Sequence, residues 1–110
     1  MTTYNLIPIE KDSDDEHICF HIKNAVELAG TFFVTRGNNG LSLYNEENWE
    51  SLRQRVYGGD LKDDKIKSFI RQYIAPAVKV QIDRGVLLLP RGLLMFDNLS
   101  ENEVQLVHRE

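Results

Sequence analysis

Three cations stand in the stretch VKVQIDRGVLLLPRG: Lys79, Arg84 and Arg91. Val78, Val80 and Ile82 alternate with Lys79, Gln81 and Asp83, so the segment reads as a half-buried strand whose polar side carries Lys79 and Asp83. Arg84 and Arg91 flank the turn that follows, and three positive charges in that arrangement can face one phosphate track by charge-assisted hydrogen bonds. The plain alternative is a solvated strand face, since surface Lys and Arg are ordinary. His17 and His21 invite a metal reading, but they lie four apart in a β-branched and aromatic run. On a strand that spacing separates them by about 13 Å, too far to share one ion, so no metal is expected. Cys19, between Ile18 and Phe20, has no identifiable partner base and reads as buried filler.

Other chemistry finds little support. Tyr44, Trp49 and Tyr57 could stack on bases, yet Trp49 shares a helical stripe with Leu52 and Val56, which points to core packing. Arg36, in the turn TRGNNG, is expected to pair with a nearby carboxylate. The glycine-rich RGNNG lacks the Lys and Ser or Thr of a phosphate-cradling loop, and no pair of carboxylates is placed for acid and base work. No enzyme activity and no cofactor are expected.

The totals set the frame for those residues. A chain of 110 residues is the size of a single domain. Thirteen Lys plus Arg against 17 Asp plus Glu give a formal net charge of -4, which argues against indiscriminate attraction to phosphate while leaving room for a local basic face. One cysteine excludes an internal disulfide, and no run of about 18 apolar residues is long enough to span a membrane. The first residues lack the basic start and apolar middle of a signal peptide. A reducing, cytoplasmic setting is the expectation.

Along the chain, Tyr4 to Ile9 alternate and are broken by Pro8, which reads as an edge strand. EKDSDDEH is a solvated acidic turn. ICFHI is a strand, and KNAVELAG after it reads as a short helix capped by Gly30. TFFVT, the turn RGNNG and LSLY form a hairpin. Asn45 caps a helix beginning EENWESLRQRV, which Gly58 and Gly59 end. A second helix over about 63–75 buries Ile66, Phe69, Ile70, Tyr73 and Ile74 and stops before Pro76. Strand 78–83, a turn at Gly85, an interior strand Val86 to Leu89, a short helix opened by Pro90 and a last strand EVQLV complete the order. The first and last parts share a plan, with pseudo-repeats over about 4–57 and 76–110 of one domain, 1–110. The fold class is α+β, a small barrel from two such units around central helices.

The residues also carry a family likeness. FVTRGNNGLSLYNEENWESL and RQYIAPAVKVQIDRGVLLLPRGLL resemble, in that order, segments of the MraZ family of bacterial transcriptional regulators, and the match runs from about Thr31 to Leu99. The resemblance implies an AbrB-like swapped-hairpin β-barrel with two central helices, in which the strands and turns of two repeats interleave. It implies binding to double-stranded DNA at short promoter repeats, assembly into a homo-oligomer, and a cytoplasmic, nucleoid-associated location without membrane contact. By that likeness each such turn reads Asp, three residues, then a DNA-facing Arg. Here Asp83 is followed directly by Arg84, Gly85 and Val86, one residue shorter, so an apolar residue holds the arginine's position. Arg84 is expected to take its role from a shifted place, with Lys79 and Arg91 beside it. In the first repeat SDDEHI aligns with the corresponding turn, with Ser13, Glu16 and His17 at the positions of the family's Asp, Gly and Arg.

Two functions follow as expectations. The first is a sequence-specific DNA-binding regulator using Lys79, Arg84 and Arg91. The second is a divergent relative whose acidic first turn has given up DNA and binds protein instead, as a partner of a full-length paralogue or as an antitoxin-like subunit. DSDDE, the loss of the family's arginines from both turns and the negative total charge favour the second.

Overall fold

The computed structural model describes residues 2–37, 40–58, 63–65, 68, 77–94 and 104–109. Seven strands carry the architecture: β1 (Thr2–Pro8), β2 (His17–Ile22), β3 (Gly30–Gly37), β4 (Gly40–Asn45), β5 (Val78–Ile82), β6 (Val86–Pro90) and β7 (Val104–Arg109). One helix, α1 (Glu46–Tyr57), follows β4, and short 3-10 turns occupy Glu10–Asp12 and Arg91–Leu94. The helix expected over 63–75 falls mostly outside the described residues.

The strands form one mixed sheet in the order β5-β3-β4-β7-β1-β2-β6. Its two ends meet through a single bridge, Asp83 to Val86, so the sheet curls into a nearly closed barrel. The segment after Ala77 pairs with the segment before Asn24: β2 lies antiparallel to β6 with Cys19 opposite Leu88, and β1 lies antiparallel to β7 with Tyr4 opposite Leu106. β7 runs parallel to β4, with Leu41 opposite Leu106, the one parallel pairing among the described strands. Antiparallel neighbours can be joined by tight turns, whereas a parallel neighbour needs a long crossover. The chain between Asn45 and Val104, which contains α1, β5 and β6, supplies it.

Period-two patterning decides which side chains enter the barrel. Leu6, Phe20, Ile22, Val34, Leu41, Leu43, Val80, Ile82, Leu87, Leu89 and Leu106 are all buried and form one cluster. Burying each such side chain contributes about 1.5–3 kcal/mol before entropy is counted. Helix α1 covers the outside of the β3–β4 hairpin through Trp49, whose ring lies 5.7 Å from those of both Phe33 and Tyr44. Trp49 is thus a core residue of the stripe expected for it, and the stripe continues in half-buried Leu52.

Asn45 caps α1 as its position foretells: its Oδ1 accepts the Asn48 N–H at 2.7 Å, and Glu46 and Glu47 sit in the first turn where the helix dipole favours them. Asn45→Ala is expected to lower unfolding free energy by about 1 kcal/mol, measured by urea denaturation. A change indistinguishable from zero would mean that the cap is dispensable.

Four local expectations are corrected. β1 is an interior strand, hydrogen-bonded to both β7 and β2, with Pro8 harmless at its end. Residues 23–29 form turns rather than a helix: Ala25 N–H bonds Ile22 O and Leu28 N–H bonds Ala25 O. Seven residues are too few to sustain a helix when the backbone has tertiary partners. β6 ends the sheet order, and Val86 and Leu88 face outward at 37% and 51% exposure instead of being interior. Pro90 ends β6, and the turn after it is a 3-10 helix starting at Arg91. The α+β expectation becomes a mostly-β barrel with one helix among the described residues.

Candidate nucleic-acid interface

The turn after β5 is a two-residue hairpin loop. Asp83 N–H bonds Val86 O at 3.1 Å and Val86 N–H bonds Asp83 O at 3.0 Å. Arg84 and Gly85, the two residues between, have φ of 49° and 75°. Positive φ at both central positions is the type I′ geometry, whose twist matches that of the flanking strands and which favours Asn-Gly. Arginine in the left-handed region is uncommon and costs on the order of 1 kcal/mol. The side chain so placed is 85% exposed, with its Nε 3.6 Å from Asp83 Oδ1.

Gly85 docks this turn against the rest of the molecule. It is buried, its carbonyl accepts the Ile22 N–H at 2.7 Å, and its own N–H donates to Leu28 O at 3.0 Å. A Cβ at this position would lie 2.7 Å from the Ala25 carbonyl oxygen. The backbone of the 23–29 loop therefore holds the tip that presents Arg84.

Lys79 is exposed on β5, opposite Phe33 of β3. It borders a groove of about 610 Å³ where β5 and β6 diverge, with Val78, Leu88 and Pro90 among the other walls. Arg91 lies at the far end of β6 from Arg84, about five strand residues or roughly 16 Å away. The structure thus brings Lys79 and Arg91 toward one end of β6 and leaves Arg84 at the other, a spread the sequence reading did not anticipate.

Arg91 also has a structural occupation. Its N–H donates to Glu16 O at 2.9 Å and its Nε to Asp14 O at 2.8 Å. Asp14 Oδ1 in turn accepts the N–H groups of Glu16 and His17 at 2.8 and 2.7 Å. Those two backbone donors, the His17 one first, hold the Asp14 carboxyl below its ordinary range. The folded pKa is depressed, so this ordering is complete at neutral pH and fades only as pH falls below the ordinary aspartate range. Around it Glu10, Asp12, Asp14, Asp15 and Glu16 are exposed, a solvated acidic turn as expected.

The remaining candidates stay in the background. Cys19 is 5% exposed, and burial, aided by Asp12, raises its thiol pKa, which disfavours the nucleophilic thiolate. His17 and His21 both lie on β2. Arg36 is exposed on β3 opposite Leu41. Tyr57 lies at the end of α1. Among the described residues no helix is long and apolar enough to cross a membrane. Lys23 and Asn24, beside the Arg84 turn, escaped the sequence reading because a helix was expected there.

A small, nearly closed mixed β-sheet barrel with charged turns at both ends of β6 is the class of protein these features define. Its relatives are the curated proteins named transcriptional regulator MraZ. The protein of that name from Clostridium tetani is 28% identical over 82 residues, 73% of this chain and 58% of its own length. Those from Thermomicrobium roseum and Thermoanaerobacter pseudethanolicus are 31% identical over 77 residues and 32% over 69, covering 54% and 48% of their lengths. Over 61–73% of its length the chain is thus similar to MraZ proteins, at 28–32% identity. It spans about half the length of the curated relatives it matches. No family model and no solved structure matches it.

Proposed function

We propose that this protein is a sequence-specific, double-stranded-DNA-binding transcriptional regulator of the MraZ type. The observation that carries the proposal is Arg84, held with left-handed φ and 85% exposed at a turn position where asparagine would be easier to fold. Backbone strain persists where the surrounding structure enforces it, and such sites cluster at ligand contacts. Lys79 adds a second phosphate contact, and Arg91 a third through the guanidinium N–H groups other than Nε. The relatives are named as regulators and not as enzymes, which supports a binding role in the cytoplasm.

The strand pairings support the swapped-hairpin reading. Each pseudo-repeat's first turn is bonded to the end of the other's second strand: Arg91 N–H meets Glu16 O, and Ile22 N–H meets Gly85 O. We read residues of about 4–57 and 76–110 as the two interleaved units, and a homo-oligomer or a paralogue complex as the working assembly.

Arg84→Asn separates the side chain from the turn it sits on. Asn-Gly suits a type I′ loop, so unfolding free energy is expected to rise by up to about 1 kcal/mol. Affinity for DNA from upstream of the protein's own gene falls, and the slope of log affinity against log salt loses about one unit, the signature of one phosphate contact. Fluorescence anisotropy across a salt series and urea melts read both. Equal affinity of parent and variant at every salt concentration would remove Arg84 from the interface. If the parent also bound promoter and random duplex alike, the regulator reading would go with it.

The exposed acidic turn favours a second reading, a protein-interaction or antitoxin-like subunit that presents Asp12, Asp15 and Glu16 to a basic partner. Early elution from heparin at low salt would favour this reading over the first.

A further inference from the structure

Two non-glycine residues have left-handed φ among the described residues, Arg84 at 49° and Asn24 at 60°, and they occupy the same corner. The β2–β6 ladder, with His21 opposite Val86, is extended by the bond from Ile22 N–H to Gly85 O. That bond joins the residue before Lys23 to the residue after Arg84, which places the two cations on either side of it. The Lys23 backbone is anchored from the other side, its N–H donating to Asn5 O at 2.9 Å. Its side chain is exposed, as is that of Asn24.

From Lys23 a polar groove of about 310 Å³ leads over β1, walled by Thr2, Thr3, Tyr4, Asn5 and Asn24. Its described lining offers hydroxyls, amides and one ammonium, and it carries no carboxylate. Such donors bind the sugar-phosphate backbone, while an amide side chain such as that of Asn24 can also meet a base edge. Asp83, beside Arg84, and exposed Glu27, further along the loop, lie outside that lining.

We infer that the 23–29 loop and the groove over β1 form a second DNA-backbone subsite, in which Lys23 continues the phosphate track begun by Arg84. This rests on the DNA-binding reading above and extends it to residues on the first half of the chain. Physically, the two loops are one unit. Gly85 is bonded to Leu28 and Ile22 and packs against Ala25, so Arg84 and Lys23 keep a fixed relation when they meet a strand.

The test is a salt series of anisotropy titrations with a labelled duplex from upstream of the protein's own gene. Lys23→Ala and Arg84→Ala are compared with Arg53→Ala, which removes an equal charge from α1, where Arg53 pairs with Glu50. The expected result is a loss of about 0.9 unit of slope for each of the first two, additive in the double variant, and none for the third. Lys23 contributes only its backbone N–H to the described hydrogen bonds, which alanine retains, and a thermal melt run alongside registers any loss of folded protein. If Lys23→Ala keeps the parent slope while Arg84→Ala loses it, the subsite is overturned and DNA binding through Arg84 stands. If the parent itself shows no salt-dependent duplex binding, the DNA reading fails and the subsite falls with it.

Discussion

Gly85→Ala is expected to destabilise the protein by about 3 kcal/mol and to weaken the proposed DNA contact with it. Three effects add. An L-residue held in the left-handed region pays roughly 1–2 kcal/mol. The new methyl would stand 2.7 Å from the Ala25 oxygen and 3.2 Å from the Ala25 carbonyl carbon, both backbone atoms. Ala25 is fully buried, so the loop cannot swing aside. Relief therefore comes by lengthening the bonds to Ile22 or Leu28, each worth about 1 kcal/mol. Urea midpoints measure the total. Gly92→Ala is the control, because a Cβ there meets nothing within 4 Å and should change stability by less than about 0.5 kcal/mol. Equal effects at the two glycines would show that the docking of the turn is loose.

Leu106→Ala is expected to cost about 3–4 kcal/mol, near the middle of the range for buried leucine truncations. Leu106 is fully buried in β7, opposite Tyr4 of β1 on one side and Leu41 of β4 on the other. β7 is the seam between the β3–β4 hairpin and the β1–β2 pair. A cavity there is lined by residues from several strands whose positions are set by other pairings, so the site cannot collapse to fill it. Leu88→Ala, 51% exposed on the outer face of β6, should cost less than about 1 kcal/mol. A calorimetric or urea comparison that ranked Leu88 above Leu106 would contradict the burial pattern.

The legible parts of the fold were those set by neighbours close in sequence. The β3–β4 hairpin announced itself by two β-rich runs around a glycine and asparagine turn, and α1 by an Asn cap followed by acids and an apolar stripe. β5 was readable because its alternation survives intact. β6 was misread because four consecutive apolar residues look the same whether a strand is interior or terminal. Val86 and Leu88 are exposed because no described element covers the barrel's outer face there as α1 covers the β3–β4 hairpin, and such cover is a matter of tertiary packing.

The candidate site divides in the same way. Arg84 stood out because Asp-Arg-Gly between two strands is a turn signal with a cation at its tip. Lys23 and Asn24 did not, since KNAVELAG offers Ala, Glu and Leu at helical spacing. Ala25 and Leu28 are indeed turned inward at an i, i+3 interval, but by two successive turns whose remaining backbone groups serve Gly85. Arg91 was legible as a cation and illegible as the holder of the acidic turn, because its partners Asp14 and Glu16 lie more than seventy residues away in the chain.

Residue order alone was enough to specify the strands, the capped helix, the tight turn and the family likeness, because each depends on periodicity, caps and turn chemistry within a few residues. The interior place of β1, the parallel seam between β4 and β7 and the meeting of Arg84 with the 23–29 loop depend on pairings between distant segments. Those pairings are selected by joint burial of the two halves' apolar faces in one barrel, a condition that no single window of the chain contains.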